Sequence, residues 1–359
     1  MKYPVVAKLN EERIQNLVET VNEIGFTSEG LIKEPALFGI LPVTLKYRYK
    51  VLIECGIENV SPMLVATYLT LLRQRSIEEL KTSQILPQHI NVENRLAGYM
   101  TQWPTSLTTL INEDVNKSTL FTLRLKIIQR YLELVLDLTK EEFYRGISTY
   151  PTTKHRPLAY INESLKILQS QIAIPNHKIK SNLYLLHADP ENLKNIIYNF
   201  KNIGGIDIKE VIRMHPKLAV KNCQTLLDIR KVLEEYNISN EAQRRCFDIY
   251  TLGPETVRER LEKAKSTPEF SMFFTHPRFL KMIHYNKTAM KRLGKLYANN
   301  KKCLSLNILS GSSAHYEVFE KAPGDRLEKN HYFTGNGIWA EERNKNIETV
   351  QLKNSNNNM

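Results

Sequence analysis

The residues of clearest chemical character lie late in the chain, in a stretch that is basic and free of acids. Between Phe270 and Tyr316 there is no aspartate or glutamate. Its basic residues are Arg278, Lys281, Lys287, Lys291, Arg292, Lys295, Lys301 and Lys302. Because nearby carboxylates would offset their field, such a segment is suited to neutralising phosphate groups. The alternative is the solvated face of a terminal helix.

The spacing of these charges favours one helix face. Lys287, Lys291 and Lys295 are four residues apart, so on a helix they lie side by side. Apolar residues of the same segment can then face the core; they are Met290, Leu293 and Leu296. Residues 209–302 hold 20 Lys and Arg residues against 10 acids, while the whole chain has a net charge of +12. This concentrated excess favours nucleic acid or an anionic membrane surface as a partner.

Further basic residues occur earlier, at comparable places in successive helical segments. Together they would form a stripe that follows a nucleic-acid backbone. They are Arg124, Lys126, Arg130, Lys154, Arg156, Arg213, Lys217, Arg244, Arg245, Arg258 and Arg260. Lysines would position the duplex through phosphates, whereas arginines can also read guanine in the major groove. Some of them, such as Arg258 beside Glu255 and Glu262, are alternatively intrahelical ion pairs on a solvated face.

The sequence lacks the usual patterns of catalysis, metal binding and cofactor binding. There is no GxxxxGK[ST], GxGxxG or GxSxG motif, and the nine histidines form neither HExxH nor a Cys/His zinc spacing. His215 and His276 precede prolines and are typical of helix ends, and Gly204-Gly205 is interpreted in the same way. We therefore expect a protein that is not an enzyme and needs no metal or cofactor.

Aromatic residues interleave with the acid-free stretch. They are Phe270, Phe273, Phe274, Phe279 and Tyr285. Such rings can stack on everted or single-stranded bases. The alternative is that they fill the seam between helices, which is the more common role of buried aromatic side chains.

The elements that must position these side chains are helices. The 359 residues are 42% hydrophobic and 25% charged, as in a folded protein of two or three domains or in one long repeat array. Leu226, Ile229 and Leu233 recur with helical spacing, and alternating strands bounded by Asn-Gly or Asp-Gly turns are missing. No run of about 18 uncharged apolar residues predicts a membrane span. We predict an all-α fold.

Two segments of the sequence align without a gap. They begin at Pro35 and Pro216, which are 181 residues apart, close to five units of about 36 residues. In both, leucines follow the proline after 2, 10 and 17 residues, a Gly or Asn after 21, and an Ile after 22. Imperfect copies follow Pro104, Pro151, Pro190 and Pro277. A period in the thirties built from helix pairs predicts an α-solenoid, with an ordinary helical bundle as the alternative.

This unit, in which x-Pro leads into a Leu-rich helix that closes on Gly-Ile or Asn-Ile, resembles the mTERF repeat. Its clearest copies run from Ile32 to Ile57 and from Val211 to Ile238. Near the end of the chain, His276-Pro277 precedes a basic helix, as in mTERF proteins. The resemblance covers residues 26–328 and points to an animal or insect-type member. Between residues 60 and 150 the pattern departs from the family's.

The resemblance implies a right-angled, curved α-solenoid superhelix of about seven or eight triangular mTERF-type repeats. It further implies a non-enzymatic monomer of the mitochondrial matrix that clamps double-stranded mitochondrial DNA in a basic groove and regulates or terminates transcription. Two alternatives stay open. One is an RNA-binding factor for mitochondrial ribosome assembly, and the other is a helical-repeat scaffold for protein partners.

The ends of the chain are expected to differ from the repeats. We predict an N-terminal helical cap at residues 1–25, the repeat array at 26–316, a C-terminal cap at 317–335 and a flexible Asn-rich tail at 336–359. The first residues contain no apolar run of a secretory signal, and they lack the arginine-rich, acid-poor character of a transit peptide. The four cysteines are far apart, which is typical of a reducing compartment.

Overall fold

The computed structural model describes residues 9–100, 115–299 and 303–321, together with the short strand at 333–334. It consists of two compact units, residues 1–193 and 194–359. Apart from two pairs of two-residue strands, the regular elements in these ranges are helical. The predicted all-α class is therefore confirmed. None of the described helices is both long and apolar enough to cross a bilayer.

Short helices make up the first unit. In chain order they are α1 (Glu11–Glu23), α2 (Ser28–Lys33), α3 (Pro42–Glu54), α4 (Pro62–Ala66), α5 (Tyr68–Gln74), α6 (Ile77–Thr82), α7 (Val92–Ala97), α8 (Leu120–Leu136), α9 (Lys140–Thr149), α10 (Leu158–Lys166) and α11 (Asn176–Ser181). A π-helical turn, Ile167–Gln171, extends α10. The boundary between the units falls within α12 (Pro190–Asn199).

The second unit continues in the same style. A hairpin of β1 (Asn202–Ile203) and β2 (Ile206–Asp207) precedes its helices. These are α13 (Ile208–Met214), α14 (Cys223–Glu235), α15 (Asn240–Arg245), α16 (Pro254–Ser266), α17 (Pro268–Ser271), α18 (Phe279–His284), α19 (Asn286–Ala298), α20 (Leu306–Ser310) and α21 (Ser313–Lys321). A second strand pair joins β3 (Cys303–Leu304) to β4 (Phe333–Thr334).

A repeating unit of helix, short 3₁₀ helix and helix is visible in both units. Five-residue 3₁₀ helices follow α2, α9, α11, α13 and α15; they are Pro35–Gly39, Pro151–His155, Leu183–His187, Pro216–Val220 and Phe247–Thr251. The last four begin 31 to 33 residues apart. The sequence estimate of about 36 residues is therefore too long, because the interval between the two aligned copies also contains the irregular helices α4 to α7. The copy predicted after Pro104 begins outside the described residues.

The two aligned segments have the register that the sequence predicts. Their leucines are buried to the same depth: Leu37, Leu45, Leu52, Leu218, Leu226 and Leu233 are each 0% exposed. After α3 and α14 the chain turns through a left-handed residue, Gly56 with φ 96° and Asn237 with φ 53°. Such residues end helices, and the following Ile57 and Ile238 return to the core.

Local sequence explains where many helices begin. Proline occupies the first turn of α3, α4, α16 and α17, where its missing N–H costs nothing. Ser76 and Thr139 form capping boxes with Glu79 and Glu142 at the starts of α6 and α9. Local sequence therefore determines where these helices begin, whereas the buried leucines determine how the helices pack.

Gly204-Gly205 differs from its sequence interpretation as a helix end. The helix before it ends at Asn199, and the two glycines form the turn between β1 and β2. Both have positive φ, 59° and 80°, which favours glycine in a two-residue hairpin turn. A Cβ on Gly204 would lie 2.8 Å from the Asn240 carbonyl oxygen, so α15 also packs closely here.

Long cationic side chains join neighbouring helices by donating to carbonyl groups at helix ends. The last carbonyls of a helix lack the N–H partner that the next helical turn would supply. In the first unit the pairs are Arg95 with Ile53 and Glu54, Arg124 with Arg156, Arg156 with Ala188, and Lys180 with Asp137. In the second they are Lys221 with Thr251, Arg260 with Ile283 and His284, and Arg292 with Ile308, Leu309 and Gly311. We call these donors the carbonyl-bound cations.

The most buried of these cations is also part of an ion pair. Arg124 is 1% exposed, and its Nη1 lies 3.0 Å from Oε2 of Glu54 on α3. The Glu54 carboxylate also accepts hydrogen bonds from the N–H groups of Leu158 and Ala159 at the start of α10. Burial lowers the pKa of Arg124, but Cys55, Glu54 and Tyr68 raise it above its ordinary value, so the guanidinium stays charged. One carboxylate thus joins α3, α8 and α10.

The predicted division into caps and array stays a prediction. Helix α1 lies within the predicted N-terminal cap, and α21 crosses the predicted boundary between residues 316 and 317. Residues 336–359, predicted to be a flexible tail, lie outside the described residues.

Removing the charge of Glu54 should destabilise the first unit strongly. We expect Glu54→Gln to lower the free energy of unfolding by about 3–5 kcal/mol, because it leaves the Arg124 cation buried without its counter-charge. Adding Arg124→Met should recover part of this loss. Urea unfolding measures both. The control Glu234→Gln, in the exposed pair with Arg230, should cost less than about 1 kcal/mol. Additive effects of the two substitutions would contradict the coupling.

His155 makes the stability of the first unit depend on pH. Its ring lies between Tyr68 and Phe121 and contacts the guanidinium of Arg73. Burial, followed by the charges of Arg73 and Arg124, lowers its pKa to about 4. The unfolded chain binds this proton near pH 6.5, so stability is fully present above that pH and is lost as the pH falls towards 4.

We therefore expect the urea concentration at the unfolding midpoint to decrease as the pH is lowered from 6.5 to 4. The substitution His155→Gln should make this decrease smaller. His89→Gln, which replaces an exposed imidazole, is the control and should leave the slope unchanged. An equal slope in the wild type and in His155→Gln would show that other groups cause the pH dependence.

Candidate nucleic-acid interface

The predicted nucleic-acid contacts fall into three groups that differ in exposure. Buried ones are Arg124, Arg156 and Arg292. Half-buried ones are Lys126, Arg130, Lys154, Arg213, Arg258 and Arg260. Exposed ones are Lys217, Arg244, Arg245, Arg278, Lys281, Lys287, Lys291 and Lys295. The guanidinium groups of the three buried arginines are already held by backbone carbonyls, so the candidates lie in the last two groups.

The prediction that the three buried arginines contact nucleic acid is wrong. Arg124 and Arg156 are 1% and 6% exposed, and each donates from Nη2 to a backbone carbonyl 32 residues further along the chain. The guanidinium of Arg156 also lies 4.7 Å from the centre of the Tyr47 ring. Both side chains hold one helical segment of the first unit against the next.

Arg292 has the same role in the second unit. It is 6% exposed, and its Nη1 donates to the carbonyls of Ile308, Leu309 and Gly311 at distances of 2.9, 3.2 and 2.9 Å. These carbonyls end α20, where positive charge is also favoured by the helix dipole. Arg260, a further candidate, donates to the last two carbonyls of α18 and is likewise structural.

Several of the remaining arginines are already paired with acids. Arg130 contacts Glu133 at 3.1 Å, Arg258 contacts Glu235 at 2.7 Å, and Arg245 lies 3.9 Å from Glu241. The hydrogen bond to Glu235 raises the pKa of Arg258. The expected intrahelical partners of Arg258 are thus replaced by an acid of the preceding long helix, α14. Such pairs offset the field that a polyanion would meet.

The best-placed cations are exposed lysines and one arginine of the second unit. Lys217 lies in the 3₁₀ helix Pro216–Val220, and Arg244 lies in the last turn of α15. Lys281, Lys287 and Lys291 lie on α18 and α19. Within the described part of the chain, none of these five has an ion-pair partner. We call them the free cations; they can exchange water for phosphate at little cost.

The lysines of α19 share one face, as their spacing predicts. Lys287, Lys291 and Lys295 line a groove of about 420 Å³ between α19 and α21. Leu293 and Leu296 on the same helix are 4% and 0% exposed and face the core. The opposite wall of this α19–α21 groove is acidic, because Glu317 and Glu320 line it. Lys295 is paired with Glu320 at 3.3 Å.

The sequence did not indicate this acidic wall. Glu320 lies 25 residues after Lys295, so only the packing of α21 against the groove brings the two together. Tyr316 and Ser313 of α21 also line the groove without any local signal for it. Nearby, Nη1 of Arg278 donates to Oδ1 of Asn307 at 2.6 Å, which anchors its side chain although it is exposed.

The aromatic residues of the acid-free stretch belong mainly to the core. Phe270, Phe273 and Phe279 are 0%, 6% and 0% exposed, and Phe274 packs at a tilt against Phe279 with ring centres 4.8 Å apart. Tyr285, at 46%, is the most exposed ring of these five. The phenylalanines therefore fill the seam between helices, as the alternative in the sequence analysis states. Tyr285 remains a candidate for stacking on bases.

Mutation of two adjacent residues of α19 should affect stability to very different extents. We expect Arg292→Ala to lower the free energy of unfolding by about 2–4 kcal/mol, because three helix-end carbonyls lose a charged donor. Lys291→Ala should change it by less than about 0.5 kcal/mol, since its side chain is exposed. Urea unfolding measures both. Equal effects on stability would contradict the division into carbonyl-bound and free cations.

Comparison with known proteins finds a relative of this chain in an insect. Over 327 residues the chain is 29% identical to the Drosophila melanogaster protein named Transcription termination factor 5, mitochondrial. The match covers 90% of this chain and 58% of that protein, so the chain spans little more than half the length of the relative. No family model matches the chain, and no solved structure matches it.

The similarity covers nearly the whole chain, as the resemblance to the mTERF repeat does. This relative supports the resemblance of the chain to the mTERF family, and to an insect-type member of it.

Proposed function

We propose that this chain binds double-stranded DNA in mitochondria and thereby regulates or terminates transcription, without catalysing a reaction. The relative's name is the support for the compartment and the process, and that relative is a longer protein. The observation that carries the binding itself is the set of free cations: Lys217, Arg244, Lys281, Lys287 and Lys291. We further propose that the protein acts as a monomer in the matrix.

Electrostatics favours the second unit as the DNA-binding part. The first unit's best candidates, Arg124 and Arg156, are buried, and Arg130 is paired with Glu133. The second unit keeps exposed charge in α18 and α19, and the stretch from Phe270 to Tyr316 brings no acid of its own. A duplex laid on this surface would release counterions from its backbone, which is the main source of affinity for such complexes.

The free cations suit a backbone contact better than the reading of bases. Four of the five are lysines, which bind phosphates as point charges, whereas a bidentate contact with guanine needs a guanidinium. Arg244 is the exposed arginine of the set, and it is therefore the first candidate for a base contact. On this account binding is strong and salt-dependent, and its sequence preference rests on few side chains.

Binding to duplex DNA should depend steeply on salt. With five or six phosphates neutralised, log K should fall with log salt at a slope of about −5. Fluorescence anisotropy with mixed-sequence duplex DNA, single-stranded DNA and duplex RNA across a salt series measures this. Tighter binding to duplex RNA than to duplex DNA would contradict the proposed role in transcription and favour a role in ribosome assembly. Weak binding to all three that does not respond to salt would favour a protein scaffold.

The triple variant Lys281→Ala, Lys287→Ala, Lys291→Ala locates the surface. We expect its affinity for duplex DNA to fall at least tenfold and its salt slope to flatten by about 3, one for each lost phosphate contact. The matched control replaces Lys33, Lys140 and Lys166, exposed lysines of the first unit, and removes the same charge. Equal losses in both triple variants would mean that net charge, and not this surface, determines binding.

A further inference from the structure

One hydroxyl group in the second unit is buried without a partner. Tyr316, the fourth residue of α21, is 5% exposed, and its Oη has no hydrogen-bond partner among the described residues. Burial, and next the charge of Glu320, raises the pKa of this phenol, so the hydroxyl keeps its proton near neutral pH. A buried polar atom without a partner costs free energy and calls for an explanation.

The position of the Tyr316 side chain suggests an explanation for this unpartnered hydroxyl. Tyr316 lines the α19–α21 groove together with Lys287, Lys291 and Lys295. Its ring is held from one side, because the guanidinium of Arg292 lies 4.8 Å from the ring centre and is itself fixed by three carbonyls. The groove therefore combines one fixed ring, whose O–H group has no acceptor, with the ammonium groups of three lysines.

This combination suits a tetrahedral oxyanion. A phosphate group presents several acceptor oxygens, and lysines together with one neutral O–H donor can satisfy them. The groove, at about 420 Å³, has room for such a group and for the sugar that carries it. Ser313, the first residue of α21, adds a second hydroxyl at the same wall.

The groove also contains a competitor for its own cations. Glu320 pairs with Lys295 at 3.3 Å, with the two side chains 24% and 50% exposed. The ammonium of Lys295 is 5.9 Å from the Tyr316 ring centre, so this pair lies directly beside the unpartnered phenol. An exposed pair of this kind is weak, and a phosphate can displace the carboxylate at small cost.

We propose that the α19–α21 groove binds one phosphate group of the DNA backbone. Tyr316 Oη donates to a phosphate oxygen, Lys287 and Lys291 neutralise it, and Lys295 exchanges Glu320 for it. Glu320 therefore acts as an internal competitor that weakens DNA binding. This inference rests on the proposed function, since the phosphate belongs to the duplex that the second unit binds.

The variant Tyr316→Phe tests the hydroxyl alone. We expect its affinity for mixed-sequence duplex DNA to fall about tenfold, the effect of one hydrogen bond to a charged group. Its urea midpoint should not fall, because the removed hydroxyl has no partner in the free protein. This pairing separates a ligand contact from a structural one. Unchanged affinity would overturn the inference and leave the proposed function intact.

The variant Glu320→Gln tests the competitor and should have the opposite effect. We expect affinity for the same duplex to rise roughly two- to fivefold, since Lys295 is released from its partner. The salt slope should steepen by about 0.9, the contribution of one further phosphate contact. Glu141→Gln, an exposed acid of the first unit, changes the net charge equally and is the control. Equal gains in both variants would overturn the competitor role.

Two further measurements distinguish a phosphate of duplex DNA from a phosphate of RNA and from free phosphate. If the variants change binding to duplex RNA but not to duplex DNA, the assignment to DNA is wrong. If inorganic phosphate at constant ionic strength raises the melting temperature of the wild type but not of Tyr316→Phe, and DNA binding is unaffected, the groove binds a free phosphate instead. If the wild type binds no duplex DNA at all, the proposed function fails and this inference fails with it.

Discussion

The helix-end carbonyl groups are the constraint on which the rest of this structure depends. A chain of short helices has many such ends, and each leaves carbonyl oxygens without a partner in its own helix. Here arginine and lysine side chains from neighbouring elements donate to them. Arg95 does so at the end of α3, Arg260 at the end of α18, and Arg292 at the end of α20. The same contacts bring successive elements together, so they join local helix stability to repeat packing.

This constraint divides the positive charge of the chain into two populations with different roles. The carbonyl-bound cations are buried or anchored, and in Arg124 the charge is further balanced by Glu54 at 3.0 Å. The free cations, concentrated in α18 and α19, contribute field at the surface. The net charge of +12 therefore overstates the positive charge available at the surface for a polyanion, because some of the cations are buried and bound to carbonyl groups. The α19–α21 groove lies where the two populations meet, because carbonyl-bound Arg292 and the free cations Lys287 and Lys291 all line it.

The parts of the fold that follow from local chemistry could be predicted from the sequence. The proline, leucine and Gly or Asn positions of the aligned copies determine helix starts, buried faces and left-handed ends, and Gly56 and Asn237 both have positive φ. Arg292 could also have been placed better. It lies three residues after buried Ala289 and four before buried Leu296, which puts it on the apolar face.

Other features depend on packing between distant segments and leave no local signal. Arg156 lies between a 3₁₀ helix and Pro157, where no helical period applies, and only the position of Ala188 makes it structural. The acidic wall of the α19–α21 groove arises because α21 packs beside a stretch that is acid-free in sequence. The repeat length was overestimated for a related reason, since irregular helices between residues 60 and 100 interrupt the period.

The central claim is that buried arginines hold the repeats together while exposed lysines of the second unit bind DNA. Residue-resolved chemical modification tests it most directly, with an acetylating reagent for lysine and a dicarbonyl reagent for arginine, with and without duplex DNA, followed by mass spectrometry. The account predicts that DNA protects Lys281, Lys287 and Lys291 and that Arg124 and Arg292 stay unmodified in both states. Modification of these arginines in the folded protein, or equal protection of lysines in both units, would contradict it.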